Sequence, residues 1–228
     1  MSDIRIVTNQ SPVISAENGF RSPWGSLLGS LGTIPEASLL VRAGYGFHVT
    51  VGAFSTPITG GGAGTILDLD QPEAIISVPD GAAIMPIRVH VQGHVGLMAT
   101  DADEYEILIA VDRAAAAVDD GTKTAETIFN MRTDNPISSV CTATSAYTAD
   151  VTDPVLGIEL ARKVITGDIQ TAVGTTWGEL DLLYEPQHPP VIVGPAMLIV
   201  YWGGTVALPG FAQIQWVEFP SSIAQAVI

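Results

Sequence analysis

His90 and His94 form the one local histidine pair, and on a regular strand a spacing of four residues puts both imidazoles on one face. Two imidazoles are half of a transition-metal site, which then needs His48, His188 or carboxylates such as Asp101 and Asp103 brought in by the fold. Asp101, Asp103, Glu104 and Glu106 supply hard oxygen ligands of the kind Ca²⁺ takes, but Asp101-Ala-Asp-Glu lacks the glycine and the distal glutamate of an EF-hand loop. The expectation is therefore a pair of half-buried, hydrogen-bonded histidines beside a solvated acidic loop, with no metal and no cofactor. Cys141, the single cysteine, sits in an apolar, hydroxyl-rich run from Ser138 to Tyr147 with no histidine beside it, so it reads as a buried structural thiol. Gly60-Gly61-Gly62 is not followed by Lys-Ser/Thr and reads as a flexible hairpin tip, and no Gly-x-Ser-x-Gly elbow occurs. Nothing here anchors a catalytic mechanism, and no enzyme is expected.

The balance of 9 Lys+Arg against 24 Asp+Glu gives a net charge of −15, and direct nucleic-acid binding is not expected without a basic run to neutralise phosphates. Hydrophobic residues make up 47% of the 228 positions, enough to build a core, while only 14% are charged and Gly and Pro number 23 and 15. That balance favours many short elements joined by turns. Two stretches without charge, Ala43 to Leu67 and Pro186 to Val217, are broken by Gly60-Gly61-Gly62 and by Pro189, Pro190, Pro195 and Pro209. They read as strand pairs buried on two faces rather than membrane spans. The start, Met1-Ser-Asp-Ile-Arg, has no basic-then-apolar pattern, so no signal peptide is expected. Asn9-Gln10-Ser11 matches a glycosylation sequon, without other sign of a secretory route.

Period-two alternation positions these residues from end to end. An opening strand carries Ile4 and Ile6, and Ser38 to Thr56 reads as a strand pair bent at Gly44 and Gly46. Strands follow at Gly64 to Asp70 and Ala74 to Val78, the latter closed by Pro79-Asp80-Gly81. From Ile84 to Val95, Ile87, Val89 and Val91 face one way while Arg88, His90 and Gln92 face the other, with a bulge expected at Gly93. Glu104 to Asp112 is a strand with Ile107, Ile109 and Val111 on one side, and Ala114 to Ala117 gives a brief helical turn. Further strands are expected at Glu126 to Arg132, Ser138 to Asp150, Gly157 to Thr166, Trp177 to Tyr184, Val191 to Val193, Ala196 to Trp202 and Ala212 to Phe219. Val155 to Ile165 also has helical ion-pair spacing from Glu159 to Arg162, but Leu156, Ile158 and Leu160 alternate, and strand is preferred.

One helix is expected near the start, capped by Ser22, with Pro23 in its first turn and Gly32 at its end. Its stripe, Trp24, Leu27, Leu28 and Leu31, either lids one end of the fold or docks a neighbouring subunit or an interfacial membrane surface, though without Lys/Arg on its polar face it binds anionic lipid poorly; Gly25 and Gly29, at about 1 kcal/mol each relative to Ala, make it dependent on a partner surface. Tyr201 and Trp202 point in opposite directions on a strand, so one of them is expected to face out as an interface residue. These six residues are the interface candidates. The chain divides into an N-terminal arm, residues 1–35, and a single all-β sandwich domain, residues 36–228.

The C-terminal run Gly194-Pro195-Ala196-Met197-Leu198-Ile199-Val200-Tyr201, the Gly203-Gly204 turn and Phe211-Ala212-Gln213-Ile214-Gln215-Trp216-Val217-Glu218-Phe219-Pro220 resemble the closing strand pair of jelly-roll capsid and structural proteins of tailless bacterial or archaeal viruses and environmental phages. The strands at Ile84 to Val91 and Glu104 to Asp112 are similar to an earlier pair of that fold, so the likeness covers Ile66 to Pro220. It implies an eight-stranded jelly-roll β-sandwich acting as a viral capsid subunit in the virion. Its partners would be itself, as trimers or capsomers of an icosahedral shell, and other capsid proteins. The family's pattern carries no catalytic residues. The acidity departs from a genome-facing shell and suits a position over an internal viral membrane, or a spike or decoration role. A cupin-like metal-dependent enzyme using His90 and His94, and a carbohydrate- or receptor-binding sandwich using exposed aromatics, are the alternatives.

Overall fold

The computed structural model describes residues 36–60, 67–94, 104–113, 122–134, 137–147, 154–166, 179–205 and 207–225. Among the described residues, helix α1 (Glu36–Leu40) and a π-helical turn (Val41–Tyr45) lead into thirteen strands, which are followed by helix α2 (Ser221–Gln225). The strands are β1 (Gly46–Val51), β2 (Ile58–Gly60), β3 (Ala74–Val78), β4 (Ala82–His94), β5 (Glu104–Asp112), β6 (Thr124–Ala125), β7 (Phe129–Asn130), β8 (Thr142–Ser145), β9 (Leu156–Thr166), β10 (Glu179–Tyr184), β11 (Ile192–Val193), β12 (Ala196–Gly204) and β13 (Leu208–Pro220).

Four nested antiparallel pairs define the topology: β1 with β13, β3 with β12, β4 with β10, and β5 with β9. Together they form one long hairpin of eight strands, and rolling it up lets β13 pair with β4 and β12 with β5. One sheet then reads β10-β4-β13-β1-β7, with β11 added on β4 and β2 on β13, and the other β6-β8-β3-β12-β5-β9. Counting only the eight principal strands, the orders are 6-3-8-1 and 2-7-4-5. This is a jelly-roll sandwich, the all-β fold expected.

The core follows strand parity. Phe47, Val49, Val51, Val89, Val91, Ile214 and Trp216 of the first sheet meet Ile76, Ile107, Ile109, Leu198, Val200 and Trp202 of the second. The other face of the second sheet is also buried, with Ile75, Leu108, Ala110, Met197, Ile199 and Tyr201 around Tyr147. Every residue of β12 is therefore buried, which accounts for much of the charge-free stretch from Pro186. The first sheet differs. Its outer face alternates out of the core along β1 and β13 and stays at the surface.

Several expectations are corrected. Ser38 to Tyr45 is helical: Glu-Ala-Ser-Leu-Leu favours a helix, Gly44 ends it at φ +90°, and a Cβ at Gly46 would lie 2.7 Å from Val41 Cγ2 of that turn. Gly52 to Thr56 is a turn, closed by paired backbone hydrogen bonds between Ala53 and Thr56. Leu67 to Asp70 turns as well, with Asp68 Oδ1 accepting from Asp70 N at 3.2 Å. Of Glu126 to Arg132 only β7 is strand, pairing with β1, while Glu126 N donates to the Ala143 carbonyl of the other sheet just after β6. Over residues 138–147 of the expected Ser138 to Asp150 strand only β8 is strand, because Ser139 turns its side chain onto the Cys141 backbone; residues 148–150 lie outside the described residues.

The β4 bulge lies at Ile87, not at Gly93. Gln215 pairs with Arg88 but Trp216 with Pro86, leaving Ile87 as the extra residue. Pro86 cannot donate to a ladder, and a bulge is where a strand tolerates that. The slip lets Ile84 and Val89 both reach the core and leaves Ile87 half-buried. Gly93 keeps regular register with Gly210 and Leu180, and it is small because Leu208 crowds it, 3.0 Å from where a Cβ would be. The opening strand, the helix after Ser22, the Ala114 to Ala117 turn and Asn9 lie outside the described residues.

Candidate functional site

The exposed outer face of the first sheet brings together more unsatisfied polar chemistry than any other described surface. Directly paired residues of an antiparallel ladder share a face, so the register lays out its rows. His48 of β1 pairs with Gln215 of β13, and Gln215 with Arg88 of β4. The next row is Thr50, Gln213, His90 and Leu183, and the one after holds Phe211, Gln92 and Asp181. Amides, imidazoles and a guanidinium thus span four strands, with Asp181 the acidic member of these rows.

The β4 bulge aims Arg88, His90, Gln92 and His94 outward together. His90 Nε2 lies 2.6 Å from Asp181 Oδ1, a half-buried pair that orients the ring. Asp181 is further anchored at its backbone, where its carbonyl accepts from Lys163 Nζ at 2.6 Å. His94 stacks edge-on between Phe54, at 4.8 Å, and Phe211, at 5.8 Å. His90 and His94 do share a face, as their spacing predicts, but one is taken by a carboxylate and the other by two rings. Among the described residues no group of three or more His, Cys, Asp or Glu converges as a metal site.

His48 is different. Phe129 meets its ring edge-on at 5.7 Å, burial holds its pKa below the ordinary imidazole range, and its Nδ1 is buried without a hydrogen-bond partner. A cleft of about 720 Å³ opens beside it, lined by His48 and residues Phe129 to Thr133. Asn130 shapes the wall by donating from Nδ2 to the Gly44 and Ile137 carbonyls, and Arg132 grips Asp134 at 2.7 Å while donating to the Arg42 carbonyl. At the far end of the row, Arg88 Nε is also buried with no partner.

Other candidates from the sequence are engaged elsewhere. Glu106 is buried and ion-paired with Arg162, which leaves no open carboxylate there for Ca²⁺; Asp101 and Asp103 lie outside the described residues. Gly60 belongs to β2 and is buried, not a free tip: a Cβ there would lie 2.1 Å from the Trp202 carbonyl oxygen. Tyr201 and Trp202 are both fully buried, so neither ring faces out. The Tyr201 hydroxyl donates to the Leu69 carbonyl at 3.0 Å, and Trp202 Nε1 donates to that of Ile58 at 3.1 Å. The expectation failed because both faces of β12 are covered. Trp24, Leu27, Leu28 and Leu31 lie outside the described residues. Cys141 is buried as expected; desolvation pushes its thiol pKa up, and Glu218 nearby adds to the shift.

His48, Arg88 and Gln215 did not stand out in the sequence as a group. The signal available was the polar alternation Arg88-His90-Gln92 in one strand and Gln213-Gln215 in another, and only the register joins them. Among the described residues no helix is long and apolar enough to cross a membrane. Comparison with protein-family models, with curated proteins and with solved structures finds no match to this chain.

Proposed function

We propose that this chain is a viral structural protein, a jelly-roll capsid subunit that self-assembles into the capsomers of a shell. The observation that carries the reading is the strand order: β13 and β12, the pair whose sequence resembles the closing strands of such proteins, lie at the centres of the two sheets. A fold of this kind hosts many functions, so the argument joins topology to surface. Large apolar side chains stand out on loops and edges, among them Phe54 at 77% exposed, Val155 at 66%, Val140 at 61% and Phe129 at 56%. Contact with copies of the chain would cover them. A shell position away from the genome accommodates the charge of −15. Electron microscopy of concentrated purified protein tests the reading: ordered particles or uniform capsomers are expected, and a monodisperse monomer at every concentration would reject it.

The outer face of the first sheet favours a second reading, a receptor- or carbohydrate-binding sandwich. Its neutral amides, imidazoles and aromatic rings suit hydroxyl-rich ligands. A glycan array without binding removes that reading. The metal-dependent enzyme reading draws no support from His90 and His94 as they are engaged, and unchanged thermal stability in chelator is the result expected of them.

A further inference from the structure

The geometry points to an oxyanion site of carboxylate class on the outer face of the first sheet, formed by Arg88, Gln215 and His48. Of the three described cationic side chains that are half-buried, Lys163 donates to the Asp181 carbonyl and Lys123 has a partner, whereas Arg88 has none and its Nε is out of contact with water. A buried donor left unpaired is costly, and such a group in a native fold calls for an explanation. Two strands away in the same row, His48 Nδ1 is likewise buried and unpartnered. Gln215 lies between them, half-buried, with an amide that donates two further bonds.

Neighbouring strands lie about 4.8 Å apart, so Arg88 and His48 are separated by roughly 10 Å at their backbones, with room for one carboxylate above Gln215. Arg88 offers the planar fork that a carboxylate matches with two parallel bonds, Gln215 adds an amide N–H, and the Nδ1–H tautomer of His48 adds a third donor. Because Nε and Nδ1 are occluded, the ligand enters as the two side chains rotate outward. Thr50 and Gln213 in the next row are exposed, and the 720 Å³ cleft beside His48 leaves space for its ring to turn. In a chain carrying 24 acidic residues, this is a spot where an acid from outside is welcomed rather than repelled. The site stands on these unpaired groups and does not depend on the assembly reading.

The test titrates the full chain with tricarballylate at ionic strength matched by sodium chloride, reading the melting temperature. A bound ligand raises it saturably, whereas the general salting effect of a polycarboxylate does not saturate and is shared by every variant. A saturable rise is expected in the native protein, with apparent affinity about tenfold or more weaker in Arg88→Gln and lowered to a lesser degree in Gln215→Leu and His48→Asn. No saturable rise beyond the chloride control, or an equal rise in Arg88→Gln, would overturn the site. Light scattering with and without saturating tricarballylate then separates the sources. A fall in mass assigns the site to an acidic side chain of a second copy, and an unchanged mass assigns it to a free carboxylate.

Discussion

Replacing Glu218 tests how the two sheets are tied together. Glu218 is buried near the end of β13, and its carboxylate accepts from Trp216 Nε1 at 2.8 Å, from Val140 N at 3.1 Å and from the Ser139 hydroxyl. Trp216 is in the first sheet, while Ser139 and Val140 lead into β8 of the second. The carboxylate therefore joins the sheets through hydrogen bonds alone. Glu218→Ala leaves the Trp216 and Val140 N–H groups without acceptors, at about 1–3 kcal/mol each, while the Ser139 hydroxyl can turn elsewhere. Removing a buried carboxylate also relieves its desolvation, so the net loss falls toward the lower part of that sum, about 2–4 kcal/mol. Glu218→Gln keeps one acceptor oxygen for Trp216 but turns an N–H₂ toward Val140 N, and should lose about 1–2 kcal/mol. Urea unfolding followed by tryptophan fluorescence measures both, with the midpoint falling at unchanged slope. An alanine variant within about 0.5 kcal/mol of native, or a glutamine variant less stable than the alanine, would refute the account.

Three further outcomes are expected. Gly60→Ala places a Cβ 2.1 Å from the Trp202 carbonyl oxygen and should cost more than about 3 kcal/mol or prevent folding, whereas Gly81→Ala meets no atom within 4 Å and pays only for φ +82°, about 1–2 kcal/mol; similar melting temperatures for the two would contradict this. Cys141, buried with its thiol pushed up, should react with a disulfide reagent at the rate of unfolding, and labelling at the rate of a free thiol would contradict its placement. Burial lowers the His48 pKa from 6.5, so the unfolded chain binds the proton more readily and stability falls as pH drops through that value; the native protein should lose more melting temperature than His48→Gln between about pH 7.5 and 5.5, and equal losses would contradict it.

The architecture was legible where a strand had one buried face or sharp punctuation. β3 lies between Pro72 and Pro79, and β5 is a strand-length apolar run set between Glu104 and Asp112, buried on both faces, so both coincide with the expected ranges. β9 was ambiguous because Glu159 and Arg162 have helical spacing, yet they are paired at 2.7 Å on a strand. The register slips between Ile109 and Ala110, leaving Leu160 as the extra residue, and this bulge turns both side chains to the same face. Bulges were the general blind spot, since the Ile87 bulge depends on how β13 meets Pro86. The burial of both Tyr201 and Trp202 is not legible locally, because covering of the outer face of β12 depends on residues distant in sequence, Leu67, Tyr147 and Leu156. The row of His48, Gln215 and Arg88 was hidden for a similar reason: three strands far apart in the chain supply one residue each, and no local spacing marks them.

The most direct test of the central claim is the absolute mass of the purified chain, by light scattering after size exclusion, at low and at molar salt. A self-assembling shell subunit should run as a trimer, a hexamer or a larger particle. Burial of apolar side chains such as Phe54, Phe129, Val140 and Val155 should hold that assembly together as salt screens the charge of −15. A 23.8 kDa monomer in both conditions would contradict the claim and leave the binding reading of the first sheet's outer face as the account to pursue.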